Sequence, residues 1–488
     1  MNLSKSRYCK GVQCNKILWM DKYKSEEREE IDNTVVLENG TNVGELAREL
    51  YKDRIDIEYT GDLNQMIEDT KAALENKKAI ITEASFVYNN NFCSVDILKK
   101  DGNNYEIYEV KSSTHVSDIY LDDISYQYYV LKSLGLNVTK VCVIHINTAY
   151  VRHGELELDK LFITKDLTET AISKQKEVKK KIDEINKYME ATNEPNMDIG
   201  VQCFSPYECP YFKYCSKHLP ENNVFDIKGL HLSKKVDYYK KGIISYEDLM
   251  KSDLSKGYKD IIDFELNNKE DIVNLKKIKK FLNTLSYPIY YLDFETFQES
   301  VPSYDDIRPY MQIPFQYSLH IENKDGKLTH KEFLAESGTD PRRSLALRLV
   351  ADIPKDSCVL AYNMSFEKGI IKYLASIYDD LSDHLMNIYD NIKDLMVPFH
   401  DKDYYTKDMH GSYSIKYVLP ALFPDDKELD YHSLDMVHNG AEASDSFIRM
   451  KSLSEEEKEE LRKNMLKYCG LDTYAMVKIL GKLKDTIK

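Results

Sequence analysis

The sequence predicts a mixed α/β protein with an N-terminal α/β domain, a helical linker and a C-terminal α/β domain. Three observations predict it. Between residues 79 and 146, short apolar runs suited to strands surround one stretch of helical periodicity. Residues 219–286 are rich in Lys and Asp and carry little β signal. From Ile289 to Phe297 the segment IYYLDFETF opens a second β-rich run, which leads into an α/β region extending to residue 488. The expected spans are therefore 1–218, 219–286 and 287–488, in keeping with a prior of about 150 residues per domain.

In chain order, the first span begins helical. Strands follow at 79–88, 92–98 and 105–112, then a helix at 118–134 and a strand at 138–146, an αβββαβ order. Asp101-Gly102 marks the second hairpin, because glycine accepts the positive φ of a tight turn. Ile172, Val178, Ile182 and Ile185 share one face of a later helix, so its Lys run reads as a solvated face. In the linker, Ile272, Leu275, Ile278, Leu282 and Leu285 have helical spacing, and Pro288 ends that helix.

Composition narrows the function classes. With 42% apolar and 31% charged residues and few Gly or Pro, the chain reads as globular and ordered. No apolar run reaches the ~18 residues of a membrane span and no secretory leader is evident, so the expected setting is cytoplasmic, without a membrane partner. The net charge of −15 requires any nucleic-acid site to be a local cationic channel. There is no G-x4-G-K-[ST], so intrinsic ATP-driven unwinding is not expected. A helicase or other protein partner in trans stays open.

A first constellation lies on the predicted hairpin. Glu109 and Lys111 alternate to one side of a strand and Asp96 sits on the preceding strand, giving D-x12-E-x-K. Two carboxylates converging from neighbouring strands form a hard oxygen site for Mg²⁺ or Mn²⁺, and the Lys can orient or help deprotonate an attacking water. Glu83 precedes Asp96 by one strand, and Gln127 follows on the next helix. With the segment EVKSSTHVSDIYLDDISYQYYVL, this order resembles the PD-(D/E)xK nuclease core of the RecB family. That family often carries Q-x3-Y on this helix; here Leu131 stands where the Tyr would be. Glu45, in GELARELY, is a further acidic candidate whose plain alternative is a surface helix.

A second constellation is cysteine. Of nine Cys, three occur in CFSPYECPYFKYC as Cys203, Cys209 and Cys215. A fourth thiol, Cys14 or Cys9, would complete a tetrathiolate. The arrangement resembles the iron-sulfur staple of RecB-like exonucleases, which implies a structural [4Fe-4S] cluster on Cys14, Cys203, Cys209 and Cys215. Zinc is the competing reading, although the C-x2-C or C-x4-C knuckles usual for zinc are absent. Cys93, Cys142, Cys358 and Cys469 read as ordinary buried thiols.

A third constellation spans the C-terminal region. Asp293 and Glu295 lie two apart on one strand, Glu367 follows in N-x2-F-E at a helix start, and Tyr468 and Asp472 are one helical turn apart in YCGLD. This order resembles the DEDDy branch of 3′-to-5′ exonucleases. The resemblance implies a ribonuclease-H-like fold, a two-metal carboxylate site on Asp293, Glu295, Glu367 and Asp472, and Tyr468 on the attacking water. Glu367 stands where that family normally has Asp. Asp394, Ser412, Ser414 and Lys416 are candidates for lining a substrate groove, Lys416 against phosphate.

The two resemblances together suggest an uncharacterised bacterial family joining a PD-(D/E)xK restriction-endonuclease-like domain with an iron-sulfur staple to a ribonuclease-H-like exonuclease domain. The expected function is a metal-dependent nuclease acting on DNA ends or single strands, in repair or defence against foreign DNA. Two alternatives are a nucleic-acid-binding scaffold with one or both sites degenerate, and an RNA-processing exonuclease acting through the C-terminal domain.

Overall fold

Helices and strands are mixed throughout the chain, in a computed structural model that describes residues 3–30 and 34–488. The chain divides into one unit of Met1–Leu219 with Glu299–Tyr310 and a second of Pro220–Gln298 with Met311–Lys488. Both are α/β. Among the described residues no helix is long and apolar enough to cross a membrane.

The first unit is built on seven strands: β1 (Leu3–Ser4), β2 (Arg54–Asp56), β3 (Lys78–Tyr88), β4 (Asn91–Asp101), β5 (Asn104–Lys111), β6 (Asn137–Ile146) and β7 (Phe162–Asp166). The order is β2-β3-β4-β5-β6-β7, with β1 added parallel to β4. β3, β4 and β5 form an antiparallel meander, and Gly102 turns its second hairpin at φ +61°. β6 runs parallel to β5.

Helices α1 (Lys5–Gln13), α2 (Asn15–Tyr23), α3 (Thr34–Arg48) and α4 (Leu63–Ala73) precede the meander, and α5 (Asp118–Ser133) makes the crossover to β6. Ile81, Val95, Ile107 and Val141 share one core with Ile124 and Val130 of α5 and with Val178, Ile182 and Ile185 of helix Gln175–Glu190. Ile97, Tyr108 and Ile144 belong to a second core with Val43 and Ala47 of α3. Because both faces are covered, these strands read as near-continuous apolar runs.

Three features depart from the sequence expectation. β1, β2 and β7 are additional strands; the first two are too short to show a period. Ile172 lies in a separate short helix, Thr168–Ser173, and is 51% exposed, so only Val178, Ile182 and Ile185 form the buried stripe. The segment Glu299–Tyr310 groups with the first unit: Arg152 donates to the Pro302 and Ser303 carbonyls, and the Tyr310 hydroxyl donates to the Ser112 carbonyl.

The second unit carries β8 (Ile272–Val273), β9 (Ile289–Phe297), β10 (Ile313–Glu322), β11 (Leu328–Leu334), β12 (Cys358–Ala361), β13 (Ile392–Asp394) and β14 (Tyr404–Tyr405). Five of them form a mixed sheet, β11-β10-β9-β12-β13, antiparallel across β9-β10-β11 and parallel across β9-β12-β13. Tyr290, Leu292, Phe294, Tyr317 and Leu319 pack against Ile370, Ile371 and Leu374 of helix Ser365–Ile377. The alternate positions of β10 meet the long helix Glu455–Thr486, where Gln316 donates to the Met465 carbonyl at 2.9 Å and the Ser318 and Thr473 hydroxyls pair at 2.6 Å.

Of the stretch 219–286, expected as a linker, all but Leu219 groups with this second unit. The helix expected from Ile272 begins later: Asn274 caps Leu275–Leu282 by accepting from the Lys277 amide, which leaves Ile272–Val273 free to pair with Tyr404–Tyr405.

Candidate functional site

In the first unit the structure brings Asp96, Glu109, Lys111 and Gln127 together. Glu109 is buried, and its Oε1 accepts from Lys111 Nζ at 2.7 Å while its Oε2 accepts from Gln127 Nε2 at 2.7 Å. Asp96 Oδ2 accepts from the Val110 amide at 2.7 Å, which fixes that carboxylate against β5. Glu83 sits at a break in the ladder, between the pairs Thr82–Ile97 and Ala84–Val95, and so lies opposite Asp96. Its backbone has φ +53°, a left-handed conformation costing a non-glycine residue about 1 kcal/mol or more. The side-chain alternation slips there, since Ile81 and Ala84, three apart, enter the same core.

Three members were missed from sequence. Lys5, at the start of α1, places Nζ 2.8 Å and 3.0 Å from the two Glu109 oxygens and 3.3 Å from Asp96 Oδ1. Asp123 accepts from Lys111 at 2.7 Å and from Gln127 at 2.9 Å. Arg48, at the end of α3, pairs with Glu83, whereas Glu45 on the same helix is exposed. A signal for Asp123 existed: it is one turn before Gln127, on the same helical face. For Lys5 none did.

Burial, then repulsion by Asp123 and Asp96, pushes the Glu109 carboxyl up to about 7, against the pull of Lys111 and Lys5. Burial would lower Lys111, but Asp123 and Glu109 outweigh it and hold the ammonium charged. Glu83 is raised by burial and by Asp96.

Four of the cysteines gather in a second cluster of this unit, Cys14 directly following the helix that begins with Lys5. Cys14, Cys203, Cys209 and Cys215 line one cavity with Ile17, Met20 and Ile199. Cys9 instead packs against the main core, so of the two candidates for a fourth thiol it is Cys14 that shares the cavity. Hydrogen bonds and ion pairs fasten the surrounding segments. The Gln13 amide donates to the Gln202 and Tyr207 carbonyls, the Cys209 amide to the Cys203 carbonyl, and Lys16 and Lys24 pair with Glu194.

In the second unit β9 projects Asp293 and Glu295 to the side facing helix Glu455–Thr486. Ligand atoms of Asp293, Glu295 and Cys469 lie within 4.8 Å of one another, and Cys469 Sγ is 3.9 Å from Asp293 Oδ2. Cys469, expected as an ordinary buried thiol, is buried but belongs to this cluster. Asp472 accepts from the Tyr431 hydroxyl at 2.6 Å and from Tyr468. Glu367 enters from the first turn of its helix, 2% exposed, with Oε2 lacking a hydrogen-bond partner.

The four acids act on one another. Burial raises Asp293 well above the usual carboxylate range, helped by Asp472, Glu295 and Glu367. Burial, then Asp472 and Glu367, push Glu295 up to about 8, against Lys416. Glu367 rises to about 8 through burial and Asp394, and Asp472 to about 6 through burial, opposed by its two tyrosine hydrogen bonds and Lys416. A carboxyl-rich, cation-poor buried cluster of this kind is stabilised by a divalent cation.

Asp394 is seen in a supporting position. Its carboxylate accepts the Asn363, Met364 and Met396 amides, which ties down the loop leading to Glu367, where Asn363 takes φ +65°. Lys416 does border a cavity of about 990 Å³, with Tyr431 and Asn439. Gly440 presses on Glu295: a Cβ there would lie 3.1 Å from Oε2, so a side chain would force the carboxylate to move. Tyr431 and Gly440 were missed because contacts distant in sequence bring them in.

Residues 290–414 match the family described as Domain of unknown function (DUF2779). The match takes in Asp293, Glu295 and Glu367 and stops before Tyr468 and Asp472. No curated protein matches the chain.

Proposed function

We propose that the chain is a divalent-metal-dependent nuclease that hydrolyses phosphodiesters at DNA ends or in single strands, in a cytoplasmic setting of repair or defence. On this reading the second unit is a DEDDy-like exonuclease of ribonuclease-H-like fold, and the first a RecB-like PD-(D/E)xK nuclease with an iron-sulfur staple. The observation that carries it is the meeting of Asp293, Glu295, Glu367 and Asp472 from one strand and two helices, Glu295 and Glu367 buried, Asp293 and Asp472 half-buried, with Asp293 and Glu295 raised by their acidic neighbours.

Those four residues would hold Mg²⁺ or Mn²⁺, as Asp96 and Glu109 would in the first unit. The bound ion supplies Lewis acidity that makes water a nucleophile at neutral pH and offsets charge on the leaving oxygen. The chain's own groups do the positioning. Tyr431 and Tyr468 hold the Asp472 carboxylate, and Lys416 offers a charge to the scissile phosphate. In the first unit Lys111, kept protonated by Glu109 and Asp123, orients the reacting oxygen, and Gln127 fixes the Glu109 carboxylate.

Four thiols in one apolar-walled cavity suit a [4Fe-4S] cluster, and Cys14 from the N-terminal helices with Cys203, Cys209 and Cys215 would be its ligands. Its role is to join the two ends of the first unit.

The test is degradation of end-labelled single-stranded DNA and RNA, with Mn²⁺ or Mg²⁺, by anaerobically prepared wild type, Lys111→Ala and Asp293→Ala. Each substitution is expected to remove a different part of the activity. Full activity in both variants on every substrate would show the assignment to be wrong.

One observation favours a second reading, in which the first unit binds nucleic acid without cutting it: the Lys5 ammonium lies against both Glu109 oxygens and Asp96. Lys5→Ala distinguishes the two. In a working nuclease that keeps Lys5 only as a counter-charge, the variant should bind Mn²⁺ several-fold more tightly by titration and retain Lys111-dependent cleavage. In a scaffold, it should gain metal affinity without cleavage.

A further inference from the structure

A second cavity in the second unit, of about 550 Å³, is walled by segments from both sides of β9 in the sequence: residues 228–261 and residues 399–414. Its charged lining residues are Lys228 and Lys402; His400 also lines it and pairs with the Asp401 carboxylate at 2.9 Å, and among the described residues no Asp or Glu is itself part of the lining. In a chain of net charge −15 such a lining is selective for anions. The aromatic rings Tyr258 and Tyr413 also line it, and Tyr413 is 45% exposed, offering a ring to a planar ligand.

Ser412 and Ser414 stand on the same wall. Ser414 precedes helix Ile415–Leu422 and makes no side-chain bond to its first turn, so its hydroxyl is not used in capping. The wall leads to the acidic cluster along the chain. Two residues beyond Ser414, Lys416 acts on Glu295 and Asp472. Tyr362, which directly precedes Asn363, donates its hydroxyl to the Tyr413 carbonyl at 2.7 Å. Cations for phosphates and exposed rings for bases are the two elements of sequence-tolerant single-strand binding.

We infer that this cavity is a binding site for single-stranded nucleic acid, taking bases on Tyr413 and Tyr258 and backbone phosphates on Lys228 and Lys402, and feeding the strand past Lys416 to the carboxylates. The inference rests on the nuclease reading and adds to it the residues that hold the strand and the path of approach. On this inference the stretch between the N-terminal domain and β9 does more than connect, because residues 228–261 supply one wall of the site.

The test uses the whole chain and two readouts. A fluorescently labelled oligothymidylate of about twelve nucleotides is titrated without added divalent metal, and Mn²⁺-dependent hydrolysis of a dinucleotide, the shortest substrate with a phosphodiester, is measured separately. Tyr413→Ala should weaken oligothymidylate binding five-fold or more, and Tyr413→Phe should restore it. Lys228→Ala with Lys402→Ala should flatten the salt dependence of binding by about 0.7 per lysine lost. Dinucleotide hydrolysis should be unchanged in all of them. Binding unaltered by these substitutions in a chain that still cleaves the dinucleotide overturns the inference alone. Absence of dinucleotide cleavage by wild type, with oligothymidylate binding still sensitive to Tyr413, overturns the nuclease reading and leaves a single-strand binding site. Binding of neither oligothymidylate nor a matching oligouridylate overturns the site.

Discussion

Asp293→Asn should reduce hydrolysis by the second unit by on the order of 10³-fold, since a ligand carboxylate that lets a metal stabilise developing charge contributes several kcal/mol. The same substitution should make the metal-free protein more stable, a combination that a merely structural Asp would not produce. Asp293 is raised by burial and by Asp472, Glu295 and Glu367, so near neutral pH the folded chain holds a proton there that the unfolded chain releases, and Asn needs none. The pH dependence has a definite sign. Glu295 and Glu367 hold protons up to about 8 in the folded chain but lose them near the ordinary 4.5 when unfolded. Between those values the folded state binds more protons, so stability is highest at the acid end and falls as pH rises towards 8. Thermal melts of the metal-free protein should therefore show a falling midpoint from pH 5.5 to pH 8. Mn²⁺ should raise the midpoint more at pH 8, because the ligands must be deprotonated to bind it. A midpoint that rises with pH, or a Mn²⁺ effect that is larger at pH 5.5, would remove the basis for placing a cation among these acids.

What could be read from the sequence followed from spacing within single elements. Asp293 and Glu295 share a face because strands alternate, and Tyr468 and Asp472 share one because helices repeat every 3.6 residues. The structure keeps both relations. Lys5, Arg48, Tyr431 and Gly440 could not be read this way, since each enters its cluster from an element far away in the chain. Glu83 shows a different limit. Simple alternation assigns it a face, but the left-handed backbone at that residue shifts the register of inward-facing side chains on β3. Short strands were also invisible: β1, β8 and β14 are two residues each, and pairing partners rather than periodicity define them. In the stretch expected as a linker, the helix Leu275–Leu282 buries Ile278 of the expected apolar stripe, while Leu282 is half-buried and Leu275 is 53% exposed. Its association with the second unit depends on Asp403, whose carbonyl accepts the Asn274 amide and whose carboxylate pairs with Lys277 at 3.0 Å.

Cys209→Ser should give a colourless first unit with a markedly lower unfolding midpoint, while the second unit keeps its dinucleotide hydrolysis. Cys209 is the buried middle thiol of the three, and burial pushes it up to about 12, with Cys203, Cys14 and Cys215 adding to the effect. Four neutral thiols facing one small cavity are poorly packed, whereas four thiolates on an iron-sulfur cluster are bonded, and that difference is available to folding only in the loaded state. The loss should not be total. Gln13, Trp19 and Lys16 already tie α1 and α2 to residues 189–207 by hydrogen bonds and ion pairs, including Trp19 Nε1 to the Ala191 carbonyl at 3.1 Å. The variant should therefore fold, lose its visible absorbance and become a protease substrate near 203–215 before the rest of the chain is cut. Anaerobic wild type containing zinc and no iron would overturn the cluster. A variant with unchanged absorbance would move the ligand set away from Cys209.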